Sequence, residues 1–93
     1  MPSQQIGKIT VLGAGTMGSA IAQFFAVQGR SVSLYSRTEA TLQKALCTVR
    51  ENLAMMAELG QLDPGDVDSV VGRIAVFTDF EQSLEQADWV IET

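Results

Sequence analysis

Short apolar runs alternate along the chain with longer stretches in which apolar residues recur at helical spacing. Four short runs predict buried strands: Lys8–Leu12, Ser31–Tyr35, Ile74–Phe77 and residues 89–91. No Asn-Gly hairpin signal separates any two of them. Because strands alternate with helices, the pattern predicts a parallel sheet joined by right-handed crossovers.

The first predicted helix carries two apolar stripes. One consists of large residues and the other of small residues four apart: Met17, Ile21, Phe24 and Phe25, and Gly18, Ala22 and Ala26. A helix with a stripe of small residues can lie close against a sheet. Gly29 stands where a glycine ends a helix.

A helical excursion separates the second and third strands. Its main helix is predicted over residues 39–59, with Thr38 as N-cap, and a shorter helix begins after Asp63. Thr78 has capping-box spacing for a last short helix over residues 80–86. The predicted fold class is therefore α/β: an incomplete Rossmann-like parallel sheet of strand order 3-2-1-4, forming one domain over residues 1–93.

The composition of the chain limits the kinds of ligand and of catalytic site that it can have. The chain is 46% hydrophobic with a net charge of −5, which predicts a folded domain and argues against sequence-independent nucleic-acid binding. It has no histidine and one cysteine, Cys47, so we predict no metal site and no catalytic residue within it. We interpret Cys47 and Trp89 as packing residues.

Two further absences bear on location. The N-terminal stretch MPSQQIGK lacks the apolar core of a signal peptide, and no run approaches the length of a membrane span. These features predict a cytoplasmic protein with no membrane partner.

A glycine-rich turn follows the first predicted strand. Gly13, Gly15 and Gly18 form a G-x-G-x-x-G pattern that opens a helix within a βαβ unit, which is the context a dinucleotide-binding turn requires. The first glycine permits a tight turn, the second lets a pyrophosphate approach, and the third allows close helix packing. The candidate cofactor-binding residues here are Gly13, Ala14, Gly15, Thr16, Met17 and Gly18. The alternative is a tight strand-to-helix turn that binds nothing.

The loop after the second strand lies where this architecture places the adenosine ribose. A carboxylate at that position favours NAD, whereas a nearby arginine accommodates the 2′-phosphate of NADP. Here the chain has Ser36, Arg37 and Thr38, and no carboxylate at the first two positions. We interpret these residues as cofactor-binding and favour NADP over NAD. The alternative is a solvated arginine between helix-capping residues, and Glu39 lies close enough to weaken phosphate binding.

The stretches KITVLGAGTMGSAIAQFFAVQGRSVSLYSR and GRIAVFTDFEQSLEQADWVIE resemble the N-terminal NAD-binding domain of the 3-hydroxyacyl-CoA dehydrogenases, within the β-hydroxyacid dehydrogenase superfamily. The resemblance implies an oxidoreductase of fatty-acid metabolism that passes hydride from a 3-hydroxyacyl-CoA to NAD. The family's catalytic His/Glu pair lies beyond the matched stretch. Ser36 stands at the position of the family's ribose-binding Asp, and Glu92 matches a glutamate that ends the fourth strand near the nicotinamide half.

We therefore expect this chain to be the cofactor-binding part of a dehydrogenase, inactive alone, whose C-terminal substrate domain is missing. The fourth strand would then be an open edge through which two copies can associate. Two rival hypotheses remain open: a non-catalytic module that binds or senses NADP(H), and a structural remnant that binds no nucleotide. A downstream His followed by a Glu in the reading frame would favour the enzyme.

Overall fold

The computed structural model describes residues 7–93, so most of the N-terminal segment examined for a signal peptide lies outside it. Strands and helices alternate in the predicted order, with a 3-10 turn, Pro64–Asp66, ahead of the third helix. The elements are β1 (Lys8–Leu12), α1 (Thr16–Val27), β2 (Ser31–Tyr35), α2 (Glu39–Glu58), α3 (Val67–Gly72), β3 (Ile74–Phe77), α4 (Phe80–Leu84) and β4 (Trp89–Glu92).

The sheet has the order β3-β2-β1-β4, and all its pairs are parallel, which confirms the predicted fold class. In the register, Leu12 lies opposite both Tyr35 and Glu92, and Tyr35 lies opposite Phe77. The carboxyl ends of all four strands therefore meet at one edge. The point where the chain connections diverge, between β1 and β4, is where open α/β sheets bind ligands.

The core lies between one face of the sheet and the helices α1, α2 and α3. Alternate residues of the two central strands point to this face, and α2 contributes a matching apolar stripe. Its fully buried members are Ile9, Val11, Val32, Leu34, Leu42, Val49, Leu53 and Val70. The opposite face is covered by α4, where Thr10 donates a 2.6 Å hydrogen bond to the Ser83 carbonyl. None of the helices within residues 7–93 is long and apolar enough to cross a membrane.

The buried residues of α1 are all small: the stripe Gly18, Ala22 and Ala26, together with Ser19. Ala22 and Ala26 are inaccessible to solvent, whereas Met17 is 67% and Phe24 is 58% exposed. Without large side chains between them, the helix and the sheet lie close together. This confirms the expectation drawn from the small residues. Of the large apolar residues, Met17 and Phe24 are exposed, whereas Ile21 and Phe25 are partly buried against the core.

Several local predictions were wrong. The N-cap of α4 is Asp79 rather than Thr78, because the Asp79 carboxylate accepts the Gln82 N–H at 3.1 Å. That helix ends at Leu84, two residues earlier than predicted. Cys47 and Trp89 are exposed rather than packed, and Trp89 lies on an edge strand of the sheet formed by residues 7–93.

Candidate functional site

The glycine turn between β1 and α1 is fixed by the chain's own contacts at two of its three glycines. Gly13 has a φ of +110°, a left-handed conformation that favours glycine. Its N–H donates to the Tyr35 carbonyl at 2.9 Å, which ties the turn to the end of β2. A Cβ on Gly18 would overlap the Gly13 carbonyl oxygen. The fold itself therefore requires glycine at both positions.

Gly15 differs from the other two. Its φ of −75° suits any residue, and a Cβ built there would have no atom within 4 Å. Gly15 is the N-cap of α1, yet it supplies no side-chain cap, and serine, threonine, aspartate or asparagine would serve that position better. Nothing in residues 7–93 explains a glycine here, whereas a ligand approaching the backbone from the open side does.

The first turn of α1 has unpaired backbone donors beside that open space. The first bond of the helix is made by Ser19, whose N–H donates to the Gly15 carbonyl at 2.9 Å. The N–H groups of Thr16, Met17 and Gly18 have no acceptor within residues 7–93. Three unpaired donors at the positive end of a helix dipole are suited to bind an anion such as a pyrophosphate.

The loop after β2 lies next to this turn, at the same edge of the sheet. Thr38 caps α2 by accepting the Thr41 N–H at 3.3 Å, as predicted, and its own N–H donates to the Ser36 hydroxyl at 3.4 Å. Arg37 is exposed between them. The nearby Glu39 carboxylate accepts a 2.8 Å hydrogen bond from the Gln43 amide.

The cations of the chain divide into two groups. The side chains of Arg37 and Lys44 make no hydrogen bond or ion pair with residues 7–93, and both residues lie at the glycine-turn end of α2. The other lysines and arginines have partners: Lys8 with the Glu85 carbonyl, Arg50 with Asp68, Arg73 with the Ala26 carbonyl, and Arg30. The two unpaired cations thus lie where an anionic ligand of the turn would be.

A cavity of about 240 Å³ opens between the first turn of α1 and the first half of α2. Thr16 and Gly15 line it on one side, and Thr41, Lys44 and Thr48 on the other. Neither Thr41 nor Lys44 is among the site residues predicted from the sequence. The signal that could have identified them is their spacing around Ala45, a small buried residue on the side of α2 that faces the core.

The end of β4 completes this edge of the sheet. Glu92 lies opposite Leu12 in the register, and the Thr93 N–H donates to the Leu12 carbonyl at 3.0 Å. The Thr93 hydroxyl lies within hydrogen-bonding distance of the Leu12 and Gly13 carbonyls, at 3.1 Å and 3.3 Å. Within residues 7–93 no group of His, Cys, Asp and Glu has the arrangement of a metal site.

The structure therefore brings the predicted site residues to one edge of the sheet, where the glycine turn and the loop after β2 lie next to each other. The residues suit a dinucleotide: unpaired amides for a pyrophosphate, and hydroxyls with a cation for a substituted ribose. A nicotinamide group bound there would accept or donate hydride, chemistry that the side chains of this chain do not supply.

Comparison with known proteins agrees with this geometry. Residues 8–93 match the family model of the 3-hydroxyacyl-CoA dehydrogenase NAD binding domain. The chain is 39% identical over 88 residues to a probable 3-hydroxybutyryl-CoA dehydrogenase of Bacillus subtilis, and 35% identical over 89 residues to human mitochondrial hydroxyacyl-coenzyme A dehydrogenase. These alignments cover 95% and 90% of this chain but only 30% and 28% of the relatives.

A solved structure supports the same assignment. The (S)-3-hydroxybutyryl-CoA dehydrogenase PaaH1 from Ralstonia eutropha superposes with a TM-score of 0.90 at 35% identity. The match covers 96% of this chain and 31% of that one, so the chain again spans about a third of a relative's length. The chain belongs to the 3-hydroxyacyl-CoA dehydrogenase family, as part of its NAD-binding domain, and its cofactor is a nicotinamide dinucleotide.

Proposed function

We propose that this chain binds NADP(H) in preference to NAD(H), as the cofactor-binding part of a dehydrogenase acting on a 3-hydroxyacyl-CoA or a similar hydroxy acid. The residues of the site are the glycine turn, Gly13 to Gly18, and the loop Ser36–Arg37–Thr38. The observation that carries the preference is the β2 loop, in which Ser36 stands in place of the carboxylate that favours NAD, and the next residue, Arg37, is exposed and has no side-chain partner in residues 7–93.

The roles within the site follow from chemistry. The amides of Thr16 and Met17 would bind the pyrophosphate, and Gly15 keeps their approach open. Arg37 would pair with the 2′-phosphate, because a planar guanidinium can donate two parallel hydrogen bonds to it. Ser36 would donate to a ribose or phosphate oxygen. Glu39 opposes phosphate binding, but the hydrogen bond from the Gln43 amide holds its carboxylate toward the second turn of α2.

The test is a titration of NADH and NADPH by calorimetry against the wild-type chain and Arg37→Gln. We expect the variant to lose about tenfold in NADPH affinity while NADH affinity changes by less than about twofold, since one charge-assisted contact is removed. Arg50→Gln is the matched control, because it removes the same charge from an exposed ion pair between α2 and α3. Equal losses for both cofactors in Arg37→Gln would refute the preference for NADP(H).

The activity of the whole protein is also a proposal. The chain spans about 30% of its curated relatives, and it contains no histidine to act as a catalytic base. We propose that residues 1–93 form one cofactor-binding domain portion, that a substrate domain elsewhere supplies the base, and that this chain alone is inactive. Assignment to fatty-acid metabolism stays a prediction. Cytoplasmic location does too, since several relatives are mitochondrial proteins.

We further propose that two copies of this chain associate through β4. This strand pairs with β1 and has no second neighbour within residues 7–93, while Trp89 and Val90 are each at least half exposed. An open, apolar strand edge is a template for pairing with another strand. Sedimentation should detect a dimer that Val90→Lys returns to monomer, and a wild-type monomer at high concentration would contradict the proposal.

A further inference from the structure

The cavity between α1 and α2 has an apolar floor and a polar rim. Ala14 and Ala45, which are 6% and 3% exposed, form part of its floor. Thr41 and Lys44 lie three residues apart on α2 and therefore on the same side of the helix, and Thr16 faces them from α1. The rim thus offers one ammonium group and several hydroxyl groups to a ligand that enters from the glycine turn.

Hydroxyl groups connect this cavity to the loop after β2. The Thr38 and Thr41 hydroxyl oxygens lie 2.7 Å apart, and Thr38 also receives the Thr41 N–H. Two hydroxyl groups carry two hydrogens, and the bond between them uses one. The other hydrogen remains available to an anionic oxygen, so the loop and the cavity present one continuous row of donors.

The two cations beside this row of donors are left unpaired in a chain that is acidic overall. The chain has a net charge of −5, yet its two cations without partners in residues 7–93, Arg37 and Lys44, lie on either side of the N-terminal turn of α2. Two cations left unpaired at one site of an acidic protein favour an anion there over solvent alone. Lys44 can reach a phosphate from several directions, because its ammonium has three donors on a flexible stem.

We propose that the mouth of this cavity receives the 2′-phosphate of NADP(H), with Lys44 as its second cationic ligand and Thr41 as a hydroxyl donor. This inference rests on the proposed function, since it adds specificity residues to the same cofactor site. Arg37 binds the phosphate from the loop side and Lys44 from the cavity side. A phosphate on the 3′ oxygen of the ribose would project in another direction and would not reach both.

The experiment uses three fragments that lack the nicotinamide half: 2′,5′-ADP, its isomer 3′,5′-ADP, and 5′-AMP. Calorimetry would measure their affinities for the wild-type chain, Lys44→Gln, Lys44→Arg and the control Arg50→Gln. We expect the wild type to bind 2′,5′-ADP about tenfold more tightly than either other fragment, because only that isomer meets both cations. Lys44→Gln should remove most of this difference, Lys44→Arg should retain it, and Arg50→Gln should change nothing.

The measured affinities distinguish a failure of this inference from a failure of the proposed function. If Lys44→Gln binds 2′,5′-ADP as tightly as the wild type while Arg37→Gln lowers NADPH affinity, this inference is wrong and the proposed function stands. Equal weakening of both bisphosphate isomers in Lys44→Gln would also overturn it, because that is the result of unspecific charge attraction. If neither 5′-AMP nor NADPH binds the folded wild-type chain, the proposed function itself fails.

Discussion

Two alanine substitutions in the same turn should have opposite effects, because Gly15 and Gly18 are glycines for different reasons. In Gly18→Ala the new methyl group meets the carbonyl oxygen of Gly13, a backbone atom rather than a movable side chain. That residue is anchored by its N–H bond to Tyr35 and by its position at the end of β1, so it cannot shift freely. The substitution should therefore destabilise the fold.

The magnitude follows from two opposing terms. Overpacking of this kind costs about 1–3 kcal/mol, and alanine regains about 0.5–1 kcal/mol over glycine within a helix. A net loss of about 1–2 kcal/mol would lower Tm by about 4–16 °C in a chain of 93 residues. In Gly15→Ala the lower entropy of the unfolded chain stabilises by about 0.4–1 kcal/mol, and the poorer N-cap offsets it by a similar amount.

For cofactor binding, we expect Gly15→Ala to have the larger effect of the two substitutions. The methyl group of Gly15→Ala extends into the open space in front of the amides of Thr16 and Met17, so a pyrophosphate could not approach them closely. Each lost bond to a charged group is worth about 1.5–3 kcal/mol, so both NADH and NADPH should bind at least about tenfold more weakly. Thermal unfolding by circular dichroism and cofactor titration would measure the two effects. A Gly15→Ala variant that binds both cofactors normally would refute the role of the turn, and an unchanged Tm for Gly18→Ala would refute the packing explanation.

Two further predictions concern stability and use the same thermal unfolding assay. Thr10→Val leaves the buried Ser83 carbonyl without its donor and should lower the free energy of unfolding by about 1–3 kcal/mol. Ser33→Ala removes a buried hydroxyl that has no partner in residues 7–93 and should not lower Tm. Equal losses of stability in the two variants would contradict this prediction. Arg73→Met breaks the 2.7 Å bond to the Ala26 carbonyl at the end of α1 and should cost about 1 kcal/mol, and an unchanged Tm would show that solvent replaces the bond.

The sequence predicted the strands, their order and the glycine turn because each depends on signals within a few neighbouring residues. Apolar runs bounded by glycines mark β1, and the alternation of strands with helices requires parallel crossovers. The caps Thr38 and Asp63 were also predicted correctly, since a capping bond joins residues two or three positions apart. Local chemistry of this kind does not depend on the rest of the fold.

The errors arose where distant elements decide the outcome. Helical spacing also did not distinguish Met17 and Phe24, which are exposed, from Ile21 and Phe25, which pack partly against the core. Trp89 is exposed on an edge strand, and its place at the edge is set by the pairing of the whole sheet rather than by its neighbours in sequence. The cavity beside Lys44 is a gap between the first turn of α1 and the first half of α2. Spacing along one helix cannot predict a gap between two helices.

The three glycines of the turn do not contribute equally to the functional assignment. Gly13 needs its positive φ, and Gly18 needs to avoid the Gly13 carbonyl, so a strand-to-helix turn of this shape would keep both even if it bound nothing. The structural alternative raised by the sequence therefore explains two glycines of the motif without any ligand. It does not explain Gly15, where the conformation is ordinary and the surrounding space is open. Cofactor binding at this turn should accordingly be most sensitive to the glycine that the fold needs least.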